Sequence, residues 1–490
     1  MSTTSLTSGP PRPHLRATLI LCCIAQFMVI LDVSVVNVAL PSIRHALGFT
    51  EANLQWVVNA YTVTLAGFLL LGGRAADLLG RRIVFVSGLT LFALASLAGG
   101  LSNSQTVLIG ARLIQGLGGA VIAPASLSIL TTTFTDPRER NRAVGIWGAM
   151  GGAGGAAGAV LGGVITTALS WRWILFINLP IGLIAAVMTQ RLVAEGRNPG
   201  QTRHFDLAGA VSATLGLSLL VFGIVRTDTT GWGSAPTIAL MVAGVALLGA
   251  FVAIEGRFAR APLMPLRIFA SRTLSAANVV VMTVGAASFA MWFFLTLYLQ
   301  LVLGYSALRA GLAFLPMTLC IVVGSTLTSR LVIRLGPKRL LVAGMLAQAA
   351  GLLLFTRIAV GGHYLSDVLL ASLLVAIGIG FAFITGTIAA VAGAAPHEAG
   401  LASGLVNTSR MFGGALGLAI LATIATSHTN ALLHHGTAPQ QALVSGFQLA
   451  FAVGAGVAFV GALVAAFALP RIPARVATAA PAAAQPKIAA

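Results

Sequence analysis

Fourteen apolar runs, each roughly 20 residues long, leave this chain of 490 residues little freedom to be anything but a membrane protein. They cover 17–40, 53–73, 83–101, 105–131, 143–168, 174–193, 207–226, 236–254, 274–300, 310–328, 340–360, 366–391, 400–426 and 444–469. Charged residues are only 8% of the sequence, against about 25% in a soluble domain. A fold of this length could not cover a water-facing surface with so few. Lipid offers no hydrogen bonds to the backbone, so spans of this length must be helices. The expected class is an all-α polytopic membrane protein. The first run is too long for a signal-peptide core and no small-residue cleavage site follows it, so it reads as a retained span. Cys22, Cys23 and Cys320 lie inside apolar runs and imply no disulfide framework.

The formal net charge of +18 would point to nucleic acid in a soluble protein. Here the positive charges sit in short loops and report orientation instead. With the N-terminus cytoplasmic, 22 Lys and Arg residues fall on the cytoplasmic side, in clusters such as Arg74, Arg81 and Arg82, or Arg330, Arg334, Lys338 and Arg339. Five fall outside: Arg44, Arg172, Arg226, Arg309 and Arg357. That asymmetry follows the positive-inside rule and predicts cytoplasmic termini at both ends, in the cytoplasmic membrane. A missed span would have scrambled it.

A weak repeat divides the chain. The loop from Gly73 to Arg82 aligns with that from Ser329 to Lys338, matching Arg74 to Arg330, Gly80 to Gly336 and Arg82 to Lys338, with Ile333 in place of Asp77. The alignment relates spans one to six to spans nine to fourteen and leaves two spans between them, a transporter signature. The expected organisation is a cytoplasmic tail over 1–16, one six-helix unit over 17–193, two additional spans with their loops over 194–273, and a second six-helix unit over 274–470. An Ala/Pro-rich tail over 471–490 is expected to be disordered.

Of the eleven acidic residues, only Asp32 lies well inside a span. A charge there is expensive and marks function by default. It sits about eight residues, or roughly 12 Å, below an external end placed near Pro41. At 100° per residue Gln26, Ser34 and Asn37 share one face, while Asp32 points more than 100° away, so polar groups on two faces imply a helix enclosed by protein. Arg112 in span four lies at a matching depth, about seven residues below the same surface, and is the expected partner. A guanidinium favours the ionised carboxylate and desolvation opposes it, so Asp32 reads as a proton or substrate-cation site, with a paired structural aspartate as the plainer alternative. Arg112, Gln115, Gly116 and Gly119 line one stripe whose glycines permit close helix approach. Arg410 in span thirteen is a second intramembrane cation, expected to be structural. Phe289, Trp292, Phe293 and Thr296 form a stripe on span nine that could face a substrate cavity.

Span five carries nine glycines between Gly145 and Gly163, which weaken the helix and let neighbours touch. It is not a phosphate-binding loop: neither lysine stands in that context, so no nucleotide is hydrolysed and no cofactor is implied. His428, His434 and His435 share a loop but fit no metal-ligand spacing, so no metal is expected. No cluster of acid, His and Cys at one depth points to an enzyme, and nothing resembles a channel filter.

Together, several segments resemble the fourteen-span drug:proton antiporter branch of the major facilitator superfamily. They are Leu31 to Pro41 in the first span, Gly73 to Arg82 in the loop after the second, and Arg112-Leu-Ile-Gln-Gly116 in the fourth. Gly158-Ala-Val-Leu-Gly-Gly163 in the fifth and Trp171 to Pro180 belong to the same set. The resemblance covers essentially the whole chain, with one departure: the antiporter motif usually has Pro where this chain has Ala159. It implies a major facilitator fold of two six-helix bundles plus two extra central helices, rocking about a central cavity. It also implies export of amphipathic drugs or antibiotics driven by proton entry, without nucleotide or nucleic acid, by a monomer in the lipid bilayer. Asp32 and Arg112 would couple to protons. Gly73, Asp77, Gly80, Arg81 and Arg82 would form a cytoplasmic latch, and Gly158, Gly162 and Gly163 the antiporter motif. Gln26, Asn37, Phe289, Trp292 and Phe293 are cavity candidates. The same scaffold would serve an exporter dedicated to one endogenous metabolite or antibiotic, or an uptake symporter.

Overall fold

A computed structural model describes residues 12–193, 195, 206–259, 262–395 and 398–470. Most of the expected N-terminal tail and all of the 471–490 tail lie outside the described residues. Among the described residues, fourteen helices are long and apolar enough to cross a membrane. They are α1 (Leu15–Leu47), α2 (Trp56–Leu79), α3 (Arg81–Gly100), α4 (Gln105–Thr133), α5 (Arg142–Ala168), α6 (Trp173–Leu192) and α7 (Leu207–Thr227). The others are α8 (Ala235–Phe258), α9 (Arg272–Val302), α10 (Ala307–Leu335), α11 (Pro337–Phe355), α12 (Tyr364–Ala392), α13 (Ala399–His434) and α14 (Pro439–Phe467).

The first helix differs from its expected end. It does not stop at Pro41 but runs on to Leu47 with the proline inside it. Proline removes one backbone donor and leaves the helical φ intact, and the six residues that follow keep the helix going.

Two breaks explain the repeat. Between α2 and α3, Gly80 has φ +113°, and between α10 and α11, Gly336 has φ +77°. A single residue turns the chain from one helix into the next at each place, and only glycine takes that backbone without cost. The aligned glycines are thus the same corner built twice.

α1 packs along α5 and α4, α2 along α4, and α3 along α4 and α6. In the second half α9 packs along α13, α12 and α14, while α11 packs along α12 and α14 and α10 along α12. The helices α7 and α8 pair with each other, Gly216 lying against Leu248 and Gly244 against Leu220. α7 then covers α2 and α13, with the Thr423 hydroxyl donating to the Ile224 carbonyl. α8 touches little else and keeps Val242 and Val245 exposed, a face suited to lipid.

Three seams join the halves. α2 meets α13 where Gly404 faces Leu70, α1 meets α9 where the Gln300 side chain donates to the Val38 carbonyl at 2.8 Å, and α5 meets α10. In the last seam Gly163 lies against Ala307 and Leu308, and Gly311 against the Ala159 carbonyl.

Candidate functional site

Two charges, two amides and a hydroxyl meet inside the first six helices, with no exposed edge. The Asp32 carboxylate forms an ion pair with Arg112 through Oδ2, both side chains being almost wholly buried. Its other oxygen, Oδ1, accepts from Gln115 Nε2 at 2.7 Å and Asn178 Nδ2 at 2.9 Å. Both amides also reach the Ser96 hydroxyl, at 2.7 and 3.4 Å. Asp32 comes from α1, Ser96 from α3, Arg112 and Gln115 from α4, and Asn178 from α6. Every carboxylate contact is a donor.

Arg112 is equally well satisfied. Its Nη1 donates to Gln115 Oε1 at 2.9 Å and its Nε to the Val57 carbonyl at 3.0 Å. Its guanidinium carbon stands 4.4 Å from the centre of the Tyr61 ring. The glycine stripe makes room for this: Gly119 faces the Tyr61 hydroxyl and Gly116 faces the Tyr61 backbone. A buried pair is tolerated when hydrogen bonds of this kind occupy the remaining lone pairs and protons. Asn178 Oδ1 is the exception, buried with no partner.

Sequence reasoning named Asp32, Arg112 and Gln115. It passed over Asn178, Ser96 and Tyr61, although Asn178 stands in the quoted Trp171–Pro180 segment. Gln26 and Asn37 lie on the far side of α1. Gln26 is half-buried near Gly151, and Asn37 spends its donor on Val33 of its own helix.

The antiporter-motif glycines divide between two neighbours. A Cβ on Gly158 would approach Ser34, and one on Gly162 would come within 2.9 Å of Val35 Cα. One on Gly163 would lie 2.7 Å from Leu308 Cα, across the seam. The Ala159 carbonyl presses on Gly311, so the position that usually carries proline packs directly on α10.

The Gly73–Arg82 loop separates its charges. Asp77 pairs with Arg81 at 3.7 Å and accepts from Ser128. Gly73 faces Pro124 at ordinary contact distance. Arg82 does not join Asp77. It turns to Glu195 at 3.3 Å and to the Val193 carbonyl, because Gly80 reverses the chain before it.

The aromatic stripe on α9 also splits. Phe289 is half-buried and packs on Gly414 and on the apolar cluster of the first half. Trp292 lies 4.8 Å from Phe314 of α10. Phe293 is 2% exposed and stands beside Phe294. A cavity of about 530 Å³, lined by Tyr305, Arg309, His363 and Tyr364 among others, shares no residue with the Asp32 cluster.

The sequence profile of the Major Facilitator Superfamily matches residues 22–418. The chain belongs to the major facilitator superfamily. It is therefore a multi-pass membrane transporter and not an enzyme. It is 43% identical over 414 residues to the cephamycin export protein CmcT of Amycolatopsis lactamdurans, covering 84% of this chain and 85% of that one. It is 40% identical over 462 residues to the puromycin resistance protein pur8 of Streptomyces alboniger, covering 93% and 91%. Among solved structures, the POT family transporter PepTSo superposes with a TM-score of 0.68 at 16% identity, over 94% of this chain and 98% of that one. That likeness speaks to fold alone. This superfamily member is thus related to antibiotic export and resistance proteins, on an all-helical transporter fold.

Proposed function

We propose that this transporter exports amphipathic antibiotics or drugs in exchange for protons, by alternating access between two six-helix bundles over 17–193 and 274–470. The insert over 194–273 supplies the two additional helices, and both termini are cytoplasmic. The kinship with a cephamycin exporter and a puromycin resistance protein supports the direction and the substrate class. Proton coupling rests on one observation, the saturated buried pair of Asp32 and Arg112.

Both oxygens of Asp32 accept from donors, so an added proton has no acceptor in this arrangement. It also strips Arg112 of its counter-charge, a change worth about 3–5 kcal/mol in a buried site. That cost is relieved by a rearrangement of α1 and α4, and rotating the Asn178 amide brings its unpartnered Oδ1 to the new O–H. A membrane potential and pH gradient supply the energy, about 2.3 kcal/mol per charge per 100 mV plus the pH term. Protonation thus lowers substrate affinity facing outward, and deprotonation inside restores it. Asp77 with Arg81, and Arg82 with Glu195, act as latches on the cytoplasmic side, while Gly158, Gly162 and Gly163 seal the outer side.

The test is uptake of antibiotics into inverted vesicles under an imposed pH gradient, comparing the wild type with Asp32→Asn and Arg112→Ala. Both variants should lose gradient-driven transport while keeping energy-independent exchange or binding. Full gradient-driven transport by Asp32→Asn would remove the proton role assigned to the pair.

A further inference from the structure

Resting on the exporter reading, we infer that Arg410 is the anion-recognising residue of the substrate cleft, so that the preferred substrates are amphipathic molecules bearing a carboxylate or an equivalent negative group. The argument starts from which faces of α13 are already occupied. Gly404 and Met411 point toward the first half, Gly413 and Gly417 lie on Met282 and Ala286 of α9, and Ala415 and Ala419 pack with α7 residues. At 100° per residue, Asn407, Gly414 and Arg410 lie between the side of α13 that meets the first half and the side that meets α9, with Phe289 of α9 seated on Gly414 and Gly285 of α9 against the Arg410 carbonyl. The side chains of Asn407, Arg410 and Phe289 are half-buried and not sealed in the core, and Phe289 joins an apolar cluster that holds first-half residues together with Met411 of α13. That strip of half-buried side chains borders the first half.

The contrast with Arg112 is the telling point. Arg112 has a carboxylate, an amide, a carbonyl and an aromatic ring around it. Arg410 donates to Asn407 Oδ1 at 2.9 Å, within its own helix, and its guanidinium carbon stands 5.2 Å from the centre of the Phe383 ring. Its Nε is buried without a partner, and among the described residues no carboxylate pairs with it. A guanidinium offers five donors in a fixed fork that matches a carboxylate in two bonds. Asp32 already neutralises Arg112, whereas no carboxylate among the described residues neutralises Arg410. A substrate anion removes that imbalance, and its apolar part then lies along Phe383 and Phe289. A permanently cationic molecule meets a like charge at the same place, which gives the selectivity its repulsive side.

Three pyrene probes on one skeleton isolate the charge: pyrenebutyrate, its methyl ester, and the corresponding pyrenylbutyl trimethylammonium. Binding to the purified full-length protein is read by fluorescence for the wild type, Arg410→Gln and Arg410→Lys. The wild type should bind the carboxylate about tenfold or more tighter than the ester, as a charge-assisted hydrogen bond provides. Arg410→Gln should erase that preference while leaving ester binding within about twofold, and Arg410→Lys should keep part of it. An equal loss for all three probes in Arg410→Gln, or no carboxylate preference in the wild type, overturns the assignment. Efflux of pyrenebutyrate from energised vesicles separates the two readings. Carboxylate preference without gradient-driven efflux sinks the exporter and leaves the anion site standing. Efflux without the preference does the reverse.

Discussion

Neutralising Asp32 should cost more stability than deleting the whole ion pair. In Asp32→Asn the Arg112 guanidinium stays buried with no counter-charge. The new amide also carries a donor into a ring of donors from Arg112, Gln115 and Asn178. Breaking one side of a buried pair costs about 3–5 kcal/mol. At roughly 2–4 °C per kcal/mol for a unit of 150–250 residues, the melting temperature should fall on the order of 10 °C. The double variant Asp32→Asn/Arg112→Gln carries no stranded charge and should recover more than half of that loss, since a neutral replacement of a buried pair is often close to neutral. Thermal unfolding of the four proteins of the cycle in detergent, followed by tryptophan fluorescence, measures both numbers. If Asp32→Asn melts with the wild type, or the double variant is no better than the single, Arg112 does not depend on Asp32. The proton mechanism then loses its energetic basis.

Gly163→Val should hold the outer seam apart, because its Cβ would lie 2.6 Å from the Ala307 carbonyl oxygen and 2.7 Å from Leu308 Cα, both rigid backbone. A cysteine introduced at Leu308 should become about tenfold more reactive toward a membrane-impermeant maleimide added from outside, and unchanged labelling would place the seal elsewhere. Asn178→Leu should preserve the Asp32–Arg112 pair and substrate binding but slow gradient-driven efflux about tenfold or more, since the protonated acid loses its acceptor. Stopped-flow efflux with the wild-type rate would show that Asn178 is packing alone.

The fold was legible because a span advertises itself: twenty apolar residues without charge have few other uses. The Asp32–Arg112 contact was legible for the opposite reason, since charge is so rare there that two charges at one depth have few alternatives. Neutral polar residues carry no such signal. Asn37 and Asn178 look alike in sequence, each set in an apolar span. Yet Asn37 bonds to its own helix at Val33, whereas Asn178 crosses to Asp32 on another helix. Thr62 and Thr64 likewise return to Val58 and Ala60 of their own helix. A polar side chain that satisfies itself locally and one that builds a site have the same letter, and only packing separates them. The partner of Arg82 was illegible for a related reason. Its partner Glu195 lies 113 positions away, and loop charges offer many plausible pairings.

The two halves of the proposed cycle meet on one helix. One face of α1 presents Asp32 to α3, α4 and α6, and the opposite face presents Ile30, Ser34 and Val35 to the glycines of α5. The Ser34 hydroxyl donates to the Gly155 carbonyl at 2.7 Å, so this face is pinned as well as packed. α5 in turn seats Gly163 and Ala159 on α10 across the seam. A shift of α1 that follows a change of charge at Asp32 therefore cannot stay local, because no side chain at Gly158 or Gly162 is available to absorb it. The α5–α10 seam is two contacts from the carboxylate, through Gly162 on the Val35 backbone and Gly163 on the Ala307 and Leu308 backbone. Close-packed interfaces of this kind switch between arrangements instead of deforming continuously, which is what exchange between two access states requires. In the proposed cycle the glycines and the buried acid are thus parts of one device: the acid takes up the proton, and the missing side chains transmit the change.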